Sequence, residues 1–103
     1  MDVELRFWEG CPSHPAALAE LRVALAELGE NPNAVTLREV ATEAEAAELG
    51  FIGSPTIVVD GDDLFDTGGQ PPSLTCRVYR LRDGRFSPTP DPEDLRELLA
   101  ARH

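Results

Sequence analysis

The sequence predicts a single α/β domain: a mixed four-stranded sheet with helices on both faces, in the order β-α-β-α-β-β-α. Three observations lead there. The chain opens on side chains that alternate apolar and charged, the signature of a half-buried strand. Leucines then recur at three- and four-residue steps, the signature of a helix packed on a core. The two periods go on exchanging along 103 residues, a length that suits one core, so residues 1–103 are read as one domain.

Val3, Leu5 and Phe7 share one side of the first strand, which reads as Val3 to Trp8, and Glu4 and Arg6 share the other. Leu18, Leu21, Leu25 and Leu28 mark the buried stripe of the first helix, and Gly29 closes it. Asn31-Pro32-Asn33 turns the chain. A second strand follows over Ala34 to Val40. Thr42 and Glu45 have capping-box spacing, which predicts a second helix over 43–49, ended by Gly50. Thr56 to Asp60 is rich in β-branched residues and reads as the third strand. Cys76 to Leu81 reads as the fourth, paired antiparallel to the third, with Asp83-Gly84 turning the chain after it and Phe86 on a short continuation. Asp91 caps a last helix with Pro92 at its first position and Leu95, Leu98 and Leu99 facing inward. The parallel first half needs a crossover helix, and layer rules then cover both faces of the sheet. Residues 61–75, with Gly68-Gly69 and Pro71-Pro72, read as an irregular surface loop.

Hydrophobic residues make up 42% of the chain, ordinary for a folded domain. A net charge of −10 repels phosphate backbones and anionic lipid, so neither nucleic acid nor a membrane is an expected partner. The N-terminus lacks a basic stretch followed by an apolar one, and no apolar run is long enough to span a bilayer. A cytoplasmic protein is expected. There, two cysteines argue against a disulfide scaffold and for a reactive or a simply buried thiol at each position.

Cys11 lies between the first strand and the first helix, within Cys11-Pro12-Ser13-His14. A helix start offers unpaired N–H groups and the positive end of the dipole, and both favour a thiolate. His14, three residues on, would stabilise that anion when protonated or accept the thiol proton when neutral. The plain alternative is a buried Cys11 and a solvated His14. Ser54-Pro55-Thr56 puts a proline at the mouth of the third strand, where a cis bond suits a tight turn. Two ligands, Cys11 and His14, fall short of the four of a structural zinc site, so no native metal is expected, although a soft metal would bind a lone Cys11 thiolate readily. Asp60-Gly61-Asp62-Asp63 lacks the ligand spacing of a calcium loop and reads as a solvated turn.

Phe7-Trp8-Glu9-Gly10-Cys11-Pro12-Ser13-His14 resembles the strand-to-helix active-site motif of the thioredoxin superfamily. Gly53-Ser54-Pro55-Thr56 resembles its cis-proline loop. The nearest likeness is to small bacterial thioredoxin-like or glutaredoxin-like proteins, which also carry a later strand of the type seen at Leu74 to Tyr79. The resemblance spans nearly the whole chain. It implies a thioredoxin-like fold, Cys11 as the attacking thiol with His14 beside it, and Pro12, Ser13, Ser54, Pro55 and Thr56 as the substrate-binding surface. His14 occupies the place of the family's resolving cysteine, so Cys11 has no partner within its own motif.

Cys76 is the candidate second thiol. Five residues of strand carry the chain about 16 Å at roughly 3.3 Å per residue. A fourth strand returning from the far end of the third would start with Cys76 remote from Cys11. A buried packing cysteine, too distant to bridge, is therefore expected at position 76 unless the 61–75 loop refolds. The functional expectation is a monothiol oxidoreductase: Cys11 exchanges with a protein disulfide or a low-molecular-weight thiol, no cofactor is bound, and glutathione is the candidate co-substrate. The competing expectations are a non-catalytic binding module on the same fold and soft-metal capture through Cys11.

Overall fold

A computed structural model describes residues 1–103. Its central strand is β1 (Val3–Phe7), followed by α1 (His14–Glu27), β2 (Thr36–Glu39) and α2 (Glu43–Leu49). β3 (Thr56–Val59) and β4 (Asp62–Asp63) come next, then the short strands β5 (Tyr79–Arg80) and β6 (Phe86–Ser87), and finally α3 (Pro92–Arg102). The main sheet runs β2-β1-β3-β4. β1 pairs in parallel with β2 and antiparallel with β3, and β3 pairs antiparallel with β4. The expected α/β architecture, with its mixed four-stranded sheet and three helices, is thus present.

The alternation in β1 assigns the two faces. Val3 and Leu5 join Ile57 and Val59 of β3 under α1 and α3, which supply Ala17, Leu21, Ala24, Leu25, Leu95 and Leu99. On the opposite face Arg6 reaches the Leu49 carbonyl at the end of α2, 3.3 Å away. A smaller apolar cluster of Val40, Ala46 and Phe51, covered by Trp8, packs on that side. Alanines carry half of the buried stripe of α1, because Leu18 and Leu28 sit at its edge while Ala17 and Ala24 face the sheet.

Two of the three helix starts follow the sequence expectation. Thr42 Oγ1 accepts the Glu45 N–H at 3.1 Å and donates to the Glu45 carboxylate, so α2 carries half of a reciprocal box. Asp91 accepts the N–H groups of Glu93 at 2.9 Å and Asp94 at 3.3 Å, with Pro92 opening α3. The start of α1 differs. Ser13 is its N-cap residue, but no side chain caps it and its first turn has no acidic residue.

The fourth strand of the sheet is not Cys76–Leu81. Asp60 and Gly61 both adopt positive φ, 51° and 87°, and form a two-residue turn that pairs Val59 with Asp62. Asp-Gly is a favoured pair for such a turn, because both central positions need the left-handed conformation. Asp60-Gly61 is thus the expected solvent-exposed turn, but it closes a hairpin with Asp62 and Asp63, and the edge strand is complete by Asp63. Tyr79 and Arg80 pair instead with Phe86 and Ser87 in a separate two-stranded ribbon around Asp83-Gly84.

Asp91 carries a prediction. The backbone N–H of Arg82 is the main cause that holds its carboxyl below the usual carboxylate range, and the α3 N–H groups add to this. A depressed carboxyl stabilises the fold above its unfolded value of about 3.9 and stops doing so as pH falls through the folded value. Asp91→Ala should lower the melting temperature at pH 7. The gap between variant and parent should close on acidification into the pH 2–4 range, roughly the carboxylate titration window, as followed by circular dichroism.

Candidate functional site

The site forms where α1 begins beside the turn into β3. The Cys11 N–H is anchored on the Trp8 carbonyl at 3.0 Å, which brings the chain out of β1 and around to the helix. Cys11 is 3% exposed, and its Sγ lies 3.6 Å from Ser13 Oγ. Because Ser13 makes no cap bond, its hydroxyl is free to face the sulfur. Pro12 is exposed and Ser13 half-buried. His14 does not point at the sulfur. Its ring stacks on Phe7, with centroids 4.4 Å apart, and its Nδ1 sits 3.3 Å from the Cys11 carbonyl oxygen.

The Ser54–Pro55 peptide bond is cis, and Ser54, Pro55 and Thr56 are all buried. The chain's own later segment covers them. Ser54 N–H donates to the Thr75 carbonyl at 2.8 Å, and Arg77 N–H donates to the Ser54 carbonyl at 2.9 Å, which makes a parallel bridge between Ser54 and Cys76. The backbone expected to hold an external substrate is thus taken up internally.

Cys76 is bonded to Cys11 in a disulfide, with Cα atoms 5.5 Å apart. The expectation that Cys76 is too distant to bridge is overturned, and so is its reading as a buried residue, since it is exposed. The cause is the early completion of β4. Residues 64–75 are then free to run back to the start of β3, and twelve residues reach up to about 40 Å, more than the return needs. Leu64 enters the core, Ser73 N–H bonds the Phe51 carbonyl at 3.0 Å, and Leu74 N–H is held by the Glu43 carboxylate.

Side chains fix the end of that return. Arg77 is 5% exposed and bonds Asp63 Oδ2 at 2.8 Å and Thr56 Oγ1 at 3.2 Å. Its guanidinium lies 4.8 Å from the centre of the Tyr79 ring. Tyr79 donates its buried hydroxyl to the Pro55 carbonyl, and burial above all pushes that phenol well above its usual range. Arg77, Tyr79 and Asp63 are thus the site residues that sequence reasoning missed. A signal existed in the alternation of Cys76, Val78 and Arg80 with Arg77 and Tyr79. Hydropathy assigns that pattern the wrong way round, because Val78 is 65% exposed while Arg77 is buried.

Chemically, a disulfide at a helix mouth is a two-electron redox centre. Reduction would leave a thiol at Cys11 close to the uncapped start of α1 and to the Ser13 hydroxyl. While the sulfurs are bonded to each other, neither is a thiolate ligand for a soft metal. Together the fold and the site define an α/β domain with a disulfide between the segment leading into its first helix and the segment lying on its cis-proline turn. No protein-family model, curated protein or solved structure matches the chain.

The crosslink joins residues 65 apart, for which loop entropy alone gives ~4 kcal/mol. Reduction with dithiothreitol should therefore lower the unfolding free energy by up to that amount in urea titrations of oxidised and reduced protein. Gly53 gives a second prediction. Its φ is +150°, and an added Cβ would lie 2.8 Å from the Arg77 nitrogen and 2.9 Å from its Cα. Gly53→Ala should cost about 1–3 kcal/mol and slow closure of the disulfide, measured by urea melts and by alkylation during reoxidation.

Proposed function

We propose that this chain is a thioredoxin-like thiol–disulfide oxidoreductase whose redox couple is Cys11–Cys76. The observation that carries the reading is the disulfide itself, which joins the sulfur at the start of α1 to a residue bridged to the cis-proline turn. The thioredoxin-like assignment is supported by the strand order β2-β1-β3-β4, by an antiparallel β3 entered through a cis proline, and by helices on both faces.

In this reading Cys76 supplies what the Cys-Pro-Ser-His motif lacks. A single thiol needs an external thiol to release its mixed disulfide. A pair releases it internally, because the second thiolate displaces the substrate and closes the protein disulfide. His14, whose ring is stacked on Phe7, shapes the helix entrance and does not exchange a proton with the sulfur in the oxidised state. The partners are a protein disulfide or a low-molecular-weight thiol, with glutathione the candidate co-substrate. A cytoplasmic setting suits the reading, because disulfides there are mostly transient and catalytic.

Two measurements test it. Reduced protein should reduce a disulfide-linked peptide catalytically, and Cys11→Ser should fall to the uncatalysed rate. The oxidised fraction in glutathione buffers, read by alkylation and mass, should give a potential above about −300 mV, the region of labile and catalytic disulfides. No turnover together with a potential below that value would make the bond a structural crosslink and the chain a non-catalytic module.

A further inference from the structure

We infer that Cys76 is the sulfur through which exchange enters, and that Cys11 is the sulfur that leaves. This rests on reading the pair as a redox couple, and it reverses the order that the sequence assigns to Cys11.

Access is the first argument. Thiol–disulfide exchange needs a thiolate to approach one sulfur from the side opposite its partner. Cys11 is 3% exposed, whereas Cys76 is exposed and lines an open groove of about 280 Å³ with Val78, Phe86 and Pro88. The cis-proline turn gives no other way in. Both Ser54 backbone groups that would receive an extended peptide are bonded to Thr75 and Arg77.

The leaving group is the second argument, and it is independent of the first. Exchange is faster when the departing thiolate is the better stabilised one. Cys11 departs two residues before the N-cap, Ser13, of a 14-residue helix with no acidic residue in its first turn, and Ser13 Oγ lies 3.6 Å from its sulfur. Cys76 has no neighbouring cation to hold a thiolate, because the adjacent Arg77 guanidinium is turned away toward Asp63.

The step balances without a cofactor. A reductant thiolate attacks Cys76 Sγ, the Sγ–Sγ bond breaks, and its electron pair stays on Cys11 Sγ. A mixed disulfide now joins Cys76 to the reductant. A second reductant thiolate attacks the reductant-side sulfur of that bond, and Cys76 departs as a thiolate. The reductant becomes a disulfide by two electrons, and Cys11 and Cys76 become two thiols after protonation by water. In the other direction the Cys76 thiolate attacks a substrate disulfide, and Cys11 then displaces the substrate from Cys76.

Oxidised wild-type protein mixed with 2-mercaptoethanol, acid-quenched at successive times and mapped by peptide mass, tests the order. The earliest adduct should sit on Cys76 with Cys11 free, in about tenfold or greater excess over adduct on Cys11. Reduced Cys11→Ser protein, with Cys76 its one thiol, should react with 2-hydroxyethyl disulfide about tenfold or more faster than reduced Cys76→Ser. An early adduct on Cys11, or equal adducts on both, would overturn the entry assignment and leave the redox couple standing. A disulfide that 2-mercaptoethanol does not open in the folded protein would remove the couple, and the entry order with it. Because the mapping uses the unmutated chain, it decides the question even where Cys11→Ser fails to fold.

Discussion

The site depends on how residues 75–79 are held against residues 53–56. Two backbone hydrogen bonds lock Cys76 beside Ser54. The Arg77 guanidinium then reaches Thr56 and Asp63, and the Tyr79 hydroxyl reaches the Pro55 carbonyl. Glycine at position 53 permits the approach, because any side chain there would meet the Arg77 backbone. Each contact ties the segment to β3, to its entry turn or to the edge strand β4, and together they set the reach of Cys76 to Cys11.

This anchoring is polar where a core is usually apolar. Arg77 is buried, and a buried charge is tolerable only when it is paired and hydrogen-bonded. Asp63 supplies the pairing from the edge strand, so the short hairpin at Asp60-Gly61 matters beyond the sheet: it delivers the carboxylate that makes Arg77 affordable. The Tyr79 ring lies against the same guanidinium and meets Phe65 edge-on at 5.2 Å. Such an arrangement has few alternatives of similar energy, since moving any one member leaves a buried polar group without a partner.

The other half of the site comes from a helix that begins without a cap. A capped α1 would spend its free N–H groups on its own side chain. Ser13 instead lies along the chain with its hydroxyl toward the sulfur, and the first turn brings no carboxylate to offset the positive end of the dipole. The two cysteines therefore sit in unlike surroundings, one buried at a helix mouth and one exposed on an irregular segment. The proposed chemistry uses that asymmetry.

Local patterning by itself determined most of the frame. Alternation in Val3–Phe7, leucine and alanine spacing in α1, the Thr42 and Asp91 caps and the β-branched run of β3 are each encoded within a few residues, so the α/β class and the positions of the three helices are legible in the chain. The helix-mouth position of Cys11 and the proline entering β3 were legible for the same reason. Tertiary structure alone decided the pairing of Cys11 with Cys76. That pairing turned on whether the edge strand came from residues 76–81 or from residues 62–63. A two-residue strand has too little periodicity to announce itself, although its Asp-Gly turn was present in the sequence. The inward turn of Arg77 was equally hidden. A cation is buried only when distant partners wait for it, and no local pattern records a partner 14 or 21 residues away.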